Sequence, residues 1–128
     1  MTHRFSLRVY YEDTDMGGIV YHANYLKFIE RARSEWVGEL GNDQNAMKDA
    51  GVVWVVRRIG ADYLSFARFG DDLSVETSIQ SLSGARMVLD QVISRDGKVI
   101  FSAVVTLVCM TKNGKPVRLP AEIRALAP

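Results

Sequence analysis

The residues with the clearest capacity for chemistry lie between Tyr10 and Trp36. This stretch reads YYEDTDMGGIVYHANYLKFIERARSEW and concentrates carboxylates, a histidine, several tyrosines and a glycine pair. Asp15 stands just before the glycine pair and shortly ahead of a predicted helix. A carboxylate beside a helix start offers a base or nucleophile, together with backbone N–H groups that stabilise an oxygen as it becomes negative. These are the requirements of acyl hydrolysis, and Asp15 is the first candidate for it.

A metal site is the main alternative use of these carboxylates. The run from Asp13 to Gly18 begins like a calcium-binding EF-hand loop. The fifth position is Gly17, however, and the twelfth is Asn24, where a bidentate glutamate is needed. The two histidines, His3 and His22, are not spaced as a metal-ligand pair. We therefore expect no metal and no separate cofactor.

Other catalytic motifs are missing from the sequence. It contains no G-x-S-x-G nucleophile elbow, and Cys109 lies in an apolar run with no histidine near it in sequence. The pair Gly17-Gly18 is followed by Ile-Val-Tyr, so the spaced glycines of a phosphate-binding loop are absent as well. The chemistry is left to a carboxylate, and Cys109 is expected to be a core residue.

The elements that must position Asp15 can be predicted from hydrophobic periodicity. Residues 5–11 alternate apolar and polar side chains, which predicts a strand. A helical pattern begins at Ala23 and ends near Gly38 or Gly41. A second short helix is expected over residues 42–50, capped by Asn42 and stopped by Gly51. Runs rich in β-branched and aromatic residues then predict four more strands, at 52–66, 73–82, 86–94 and 98–110.

Turn chemistry indicates how these strands pair. Ser83-Gly84, Asp96-Gly97 and Asn113-Gly114 are suited to tight turns, which favours an antiparallel sheet. Pro116 and Pro120 predict an irregular chain end. The long helix must bury its apolar stripe, so it should lie across the apolar face of the sheet. The fold class is therefore α+β, and residues 1–128 are expected to form a single domain.

Composition limits the partners. Sixteen Lys and Arg oppose 15 Asp and Glu, leaving a formal charge of +1, so no global field would attract nucleic acid or an anionic membrane. The longest apolar run, residues 99–110, is too short to span a bilayer, and no transmembrane segment is expected. The N-terminal residues lack the apolar region of a secretory signal. Together with the lone Cys109, this predicts a cytoplasmic protein.

The motif D-x-D-x-G-G-I-V-Y-H-A-N-Y, followed by F-x-E-R-A-R-x-E-W, resembles the YbgC-type acyl-CoA thioesterases. These belong to the 4-hydroxybenzoyl-CoA thioesterase group of hotdog-fold enzymes. The resemblance implies a hotdog fold, in which an antiparallel sheet wraps around one long central helix. It also implies dimers whose sheets join edge to edge, with active sites at the dimer interface, and four-subunit assemblies are common in such families.

The resemblance also implies roles for individual residues. Asp15 matches the family's catalytic carboxylate, as general base on water or as nucleophile forming a mixed anhydride. Tyr11 and His22 match assisting positions, and a backbone N–H near His22 should point at the thioester carbonyl. Coenzyme A would be part of the substrate, and its phosphates need cations. Candidates near predicted strand ends or turns are Arg57, Arg58, Arg86, Lys112, Lys115 and Arg118, and Tyr25, Phe28 or Trp54 could line an acyl pocket.

Three functions follow from this resemblance. The first is hydrolysis of acyl-CoA, or of acyl carrier protein thioesters, to a free acid and a thiol by a homodimer or homotetramer. The second is a scaffold or binding protein, since YbgC-type proteins are associated with the Tol-Pal system and with phospholipid-synthesis enzymes. The third is a dehydratase acting on 3-hydroxyacyl thioesters. The Asp15 motif matches the thioesterase group better than the dehydratases.

Overall fold

A computed structural model describes residues 2–126. These residues form five strands, one long α-helix and two short α-helices. The strands are β1 (Thr2–Arg8), β2 (Val52–Tyr63), β3 (Asp72–Ser83), β4 (Arg86–Arg95) and β5 (Lys98–Thr111). The helices are α1 (Asn24–Glu39), α2 (Gln44–Asp49) and α3 (Ala121–Arg124). No helix within the described residues is long and apolar enough to cross a membrane.

The strands form one antiparallel sheet in the order β1-β3-β4-β5-β2. Helix α1 buries the stripe predicted from its sequence, and the side chains of Phe28, Ile29, Ala32 and Trp36 join the sheet residues in one hydrophobic core. The predicted α+β class and the antiparallel sheet are confirmed. Cys109 is buried in this core, and burial raises the pKa of its thiol to about 11.

The first strand is displaced from its prediction. It was expected over residues 5–11 and is observed at Thr2–Arg8, and residues Tyr11–Asp13 form a 3₁₀ turn instead. The cause is the Asp13 carboxylate, which accepts a hydrogen bond from the Tyr10 backbone N–H at 2.9 Å. Because that N–H is taken by a side chain three residues ahead, the chain turns where apolar alternation alone predicts a continued strand.

Two details near α2 and at the chain end also differ from prediction. Helix α2 is capped by Asp43, whose carboxylate accepts from the N–H groups of Asn45 and Ala46, and not by Asn42. Asn42 is buried and engaged elsewhere. The irregular end predicted from the prolines contains α3, which begins directly after Pro120. A proline tolerates the position before a helix because its missing N–H is not needed there.

Candidate active site

Asp15 lies in a tight hairpin between β1 and α1. Its backbone N–H donates to the Ile19 carbonyl at 2.9 Å, and its own carbonyl accepts from the Gly18 N–H at 3.0 Å. The side-chain Oδ1 atom accepts from the Gly17 N–H at 2.8 Å. The second carboxylate oxygen, Oδ2, has no hydrogen-bond partner among the described residues, and the side chain is exposed. The carboxylate is thus oriented through one oxygen and free at the other.

The two positions of this hairpin that hold glycine need it for different reasons. A Cβ atom on Gly17 would lie 3.2 Å from Asp15 Oδ1, closer than an ordinary van der Waals contact. Gly18 has a φ of +78°, which side chains with a Cβ rarely adopt. Gly17 therefore permits the close approach of its N–H to the carboxylate, and Gly18 permits the turn.

Asp13 has a structural role in positioning this hairpin. Only 4% of it is exposed. Its carboxylate accepts from the Tyr10 N–H and from the Asn24 side-chain amide, both at 2.9 Å, and its carbonyl accepts from the Tyr21 N–H. These bonds tie the 3₁₀ turn to the first residue of α1. Asp13 thereby holds the Asp15 hairpin against the helix start.

The start of α1 presents two free backbone donors. Residue Ala23 occupies the N-cap position and supplies no side-chain acceptor. In the described part of the chain, neither the His22 N–H nor the Ala23 N–H donates a hydrogen bond. The partial positive charge of a helix start adds to these donors. Two adjacent N–H groups with no acceptor can together stabilise an oxygen that becomes negative during a reaction.

The predicted assisting residues, Tyr11 and His22, lie at the same end of the sheet as Asp15. Tyr11 opens the 3₁₀ turn, is 77% exposed and stacks on Phe69, with ring centroids 6.2 Å apart. The His22 ring is exposed and packs beside Tyr21 at 4.6 Å. Neither side chain is hydrogen-bonded to Asp15 within residues 2–126. Their proposed assistance stays a prediction.

The loop between β2 and β3 forms the opposite wall of the site. The Val20 N–H donates to the Ala67 carbonyl at 2.9 Å, and the Ala67 N–H donates to the buried Tyr25 hydroxyl at 3.1 Å. Burial raises the pKa of that hydroxyl. Arg95 fixes the loop from behind, by hydrogen bonds to the Phe66 carbonyl and to Asp71. The sequence carries no motif that reveals these contacts.

Comparison with known proteins then decides the family. The model of the thioesterase-like superfamily matches residues 9–126. The chain belongs to this superfamily.

Several of its relatives are named as thioesterases. The chain is 39% identical over 123 residues to the acyl-CoA thioesterase YbgC of Haemophilus influenzae, covering 94% of this chain and 90% of that one. It is 40% identical over 124 residues to the acyl-CoA thioester hydrolase YbgC of Escherichia coli, covering 95% and 92%. A crystal structure of a probable thioesterase from Bartonella henselae matches with a TM-score of 0.89 at 35% identity, covering 94% and 100%. The predicted resemblance and the hotdog fold are confirmed.

Within one thioesterase chain, the arginines predicted to bind phosphate are distant from Asp15. Tyr63, at the site end of β2, pairs with Phe101, whereas Arg58 pairs with Thr106 and Arg86 with Val108. At about 3.4 Å per residue, these positions lie about 17 and 24 Å from the Phe101 level. Arg57, at an irregularity in β2, lies close to Arg58. The fold of one chain therefore does not bring these arginines to the site.

The predicted acyl-pocket residues divide into two groups. Tyr25 and Phe28 are core residues. Trp54 lines a cavity of about 110 Å³ between α1, β2 and the sheet. The same cavity is lined by Arg33, a residue only 9% exposed, whose guanidinium donates to Gln91 at 2.9 Å and forms no ion pair with a carboxylate in the described region. Burial lowers the pKa of Arg33.

The described residues also bear on metal binding. No group of three or more His, Cys, Asp or Glu side chains within residues 2–126 is arranged to hold a metal ion.

Proposed function

We propose that this protein hydrolyses acyl-CoA thioesters to a free acid and coenzyme A. The observation that carries the proposal is that two features occur together. One oxygen of the Asp15 carboxylate is free of hydrogen bonds, and two N–H groups at the start of α1 have no acceptor in the described chain. The named activities of the YbgC relatives support the same reaction. Acyl transfer needs both parts, since one group must supply the attacking oxygen and the other must stabilise the oxyanion.

Two routes use the same geometry. As a general base, Asp15 takes a proton from water, the resulting hydroxide adds to the thioester carbon, and the C–S bond breaks to release the thiolate. As a nucleophile, its free Oδ2 adds to the carbonyl carbon and expels the thiolate, leaving a mixed anhydride that water cleaves to the acid and the regenerated carboxylate. In both routes the N–H groups of His22 and Ala23 face the oxygen that becomes negative.

Thiol release from a substrate panel tests this function. The panel includes saturated acyl-CoA esters of several lengths, an aromatic acyl-CoA and an acylated carrier protein, with the Asp15→Asn protein as the blank. Free acid and thiol should appear in equal amounts with the wild-type protein only. A 3-hydroxyacyl-CoA that yields enoyl product without thiol would instead identify a dehydratase. No thiol from any member of the panel would refute the proposal.

We also propose that the protein is a homodimer joined through β2. This strand is 12 residues long and lies at a sheet edge, where its outer backbone groups pair with no strand in the described chain. If the two sheets join with their helices on the same side, each residue of β2 must lie opposite a partner residue whose side chain points to the same face of the sheet. The two-fold axis then passes between the two copies of one residue. An axis at Gly60 places Arg58 opposite Asp62 of the partner subunit, twice over.

This register also affects the site. It brings Arg57 of the partner subunit level with Tyr63, at the end of β2 beside His22. An arginine too distant within its own chain would then reach the neighbouring site, where a coenzyme A phosphate could bind it. The proposed dimer thus adds a cation from the partner subunit at the end of β2 beside His22, in addition to Arg68, which pairs with Ile19 of the Asp15 hairpin within one chain.

Charge reversal at the dimer interface tests the register. Arg58→Asp or Asp62→Arg alone places like charges opposite each other and should weaken dimerisation about tenfold or more. The double variant Arg58→Asp/Asp62→Arg should restore it. Analytical ultracentrifugation over a concentration series measures the dissociation constant. Single variants as tight as wild type would contradict a Gly60 axis, and a tetramer would appear as a second association step.

The predicted cytoplasmic location and further partners are part of the proposal. A single buried thiol is consistent with a reducing compartment. Carrier protein, phospholipid-synthesis enzymes and the Tol-Pal system are partners suggested by the sequence resemblance alone, and no feature of the described surface favours one of them.

A further inference from the structure

We infer that Tyr63 is a positioning residue for the N–H groups that stabilise the oxyanion, an inference that rests on the proposed hydrolysis. Tyr63 ends β2, and the sequence around it matches no catalytic motif. Its hydroxyl donates to the carbonyl oxygen of His22 at 3.0 Å, across 41 positions of sequence. It is the only side chain in the described chain that binds the backbone between Tyr21 and the first residue of α1.

The contact acts on a peptide plane. A peptide bond is planar, so the carbonyl of His22 and the N–H of Ala23 lie in one rigid unit and point in opposite directions. Fixing the carbonyl therefore fixes the direction of the N–H. A hydrogen bond received by the carbonyl also polarises the peptide, and strengthens the bond that its N–H can donate. The Tyr63 hydroxyl thus both orients and strengthens one of the two free donors.

The second donor is held from the other side. The His22 N–H belongs to the peptide whose carbonyl, on Tyr21, accepts from the Asn24 N–H at 2.8 Å. His22 therefore stands between two anchored peptide planes, one held by the helix and one held by Tyr63. The angle between these planes decides whether both N–H groups can reach the same oxygen. Without Tyr63, only one plane is anchored.

The Tyr63 ring is itself held firmly. It meets Tyr25 edge-on at 5.5 Å and Phe101 at 5.1 Å, and its edge approaches the His22 ring at 6.4 Å. This packing directs the hydroxyl at the His22 carbonyl, although 44% of the residue is exposed. Because the proton of the hydroxyl is given to the backbone, Tyr63 acts through the helix start and not by donating to the thioester.

The expected effect lies in kcat. Removing one oxyanion donor costs about 10²- to 10³-fold in kcat, and loosening a donor that is still present should cost less. The Tyr63→Phe variant keeps the ring and loses only the hydroxyl. We expect kcat to fall about tenfold and KM to stay within about twofold, because the donors bind the oxyanion more strongly than the ground-state carbonyl. The matched control is Tyr10→Phe, whose hydroxyl makes no hydrogen bond within residues 2–126 and should leave both constants unchanged.

A spectroscopic measurement separates positioning from a structural role. An acyl-CoA analogue in which a methylene replaces the thioester sulfur is a ketone that cannot be hydrolysed. Hydrogen bonds from the helix start should lower its C=O stretching frequency in the wild-type complex, and Tyr63→Phe should move the frequency back towards that of the free ketone. Tyr10→Phe should show the wild-type frequency.

The outcomes are distinct. A Tyr63→Phe protein with wild-type kcat and ketone frequency overturns the inference, as does one that raises KM alone. If wild-type protein releases no thiol from any substrate, the proposed hydrolysis itself fails. If thiol is released but Asp15→Asn is fully active, the hydrolysis stands and the role of Asp15 fails. If Asp15→Asn is inactive while Tyr63→Phe is unimpaired, only the role of Tyr63 fails.

Discussion

The two ends of helix α1 treat polar groups in opposite ways. At its start, one oxygen of Asp15 and the N–H groups of His22 and Ala23 have no partner in the described chain. Beyond its end, Asn42 is only 3% exposed and fully engaged: its amide donates to Glu122 and Met47, and its carbonyl oxygen accepts from the Trp54 indole at 3.1 Å.

The two ends therefore differ in what their polar groups contribute to stability and to reaction. Polar groups that are buried and paired stabilise the fold, since leaving any one of them unpaired costs about 1–3 kcal/mol. Polar groups that are oriented but unpaired contribute nothing to stability and remain available to a reacting molecule. Substitutions at the Asn42 end should therefore change the free energy of unfolding without changing kcat, and substitutions that disturb Asp15 itself or the two unpaired N–H groups should do the reverse.

The largest effect on stability is expected from Asn42→Ala. It leaves the buried indole N–H of Trp54 without an acceptor and removes the donor to Glu122, so the free energy of unfolding should fall by about 2–3 kcal/mol. Urea denaturation measures it, with Asn45→Ala on exposed α2 as the matched control. The kcat value should stay within twofold. Loss of activity in a still-folded Asn42→Ala protein would contradict the claim that the Asn42 end affects stability alone.

The next largest effect is expected on kcat, from a substitution in the hairpin before α1. A Gly17→Ala methyl group would stand 3.2 Å from Asp15 Oδ1 and displace the carboxylate from its aligned position. A misplacement of this size should lower kcat about tenfold or more, with little change in the melting temperature. Gly38→Ala, where an added Cβ meets nothing within 4 Å, is the control and should retain full activity. Equal kcat values for the two variants would show that the Asp15 alignment is unimportant.

The smallest effect is a pH dependence at the Asn42 end. The hydrogen bond from Asn42 lowers the pKa of Glu122 below its ordinary value of 4.5. A carboxyl group with a lowered folded-state pKa stabilises the protein above pH 4.5, and this contribution is lost as the pH falls through the folded-state value. The contribution should be less than about 1 kcal/mol, because Glu122 is partly exposed. Comparing wild type with Glu122→Gln by denaturation at pH 7 and pH 3.5 tests it, and an identical pH dependence would contradict it.

Much of the fold could be predicted because its signals are local. The stripe of α1 and the four strands after α2 follow from periodicity, and the turn at Asp96-Gly97 has positive φ at both residues, 52° and 77°, as its sequence indicates. The displaced β1, the buried Asp13 and the role of Asn42 could not be predicted in this way. The end of β1 depends on a side chain that takes a backbone N–H three residues away, which apolar alternation does not register. The paired burial of Asp13 and Asn42 also depends on partners farther along the chain, Asn24 and Glu122.

The site residues also differ in whether a local sequence signal points to them. Asp15 is a candidate through its resemblance to the family motif, which joins the hairpin and the helix start in one stretch of sequence, and its catalytic role stays a prediction. Tyr63 could not be named from the sequence, because its contact with His22 joins the end of β2 to the start of α1. Arg57, Arg58 and Arg86 lie far from the Asp15 end of the sheet within one chain, because strand pairing sets their level along the sheet and the sequence alone does not show it.

Two acids of one loop give the most direct test of the central claim that Asp15 carries the reaction. Asp15→Asn and Asp13→Asn make the same chemical change two residues apart, and thiol release and thermal unfolding are measured for both. We predict that Asp15→Asn lowers kcat at least about 10³-fold with an unchanged melting temperature. Asp13→Asn offers one acceptor oxygen to two N–H donors, so it should lower the melting temperature and retain more activity than Asp15→Asn. An Asp15→Asn protein with more than a tenth of wild-type kcat would contradict the account.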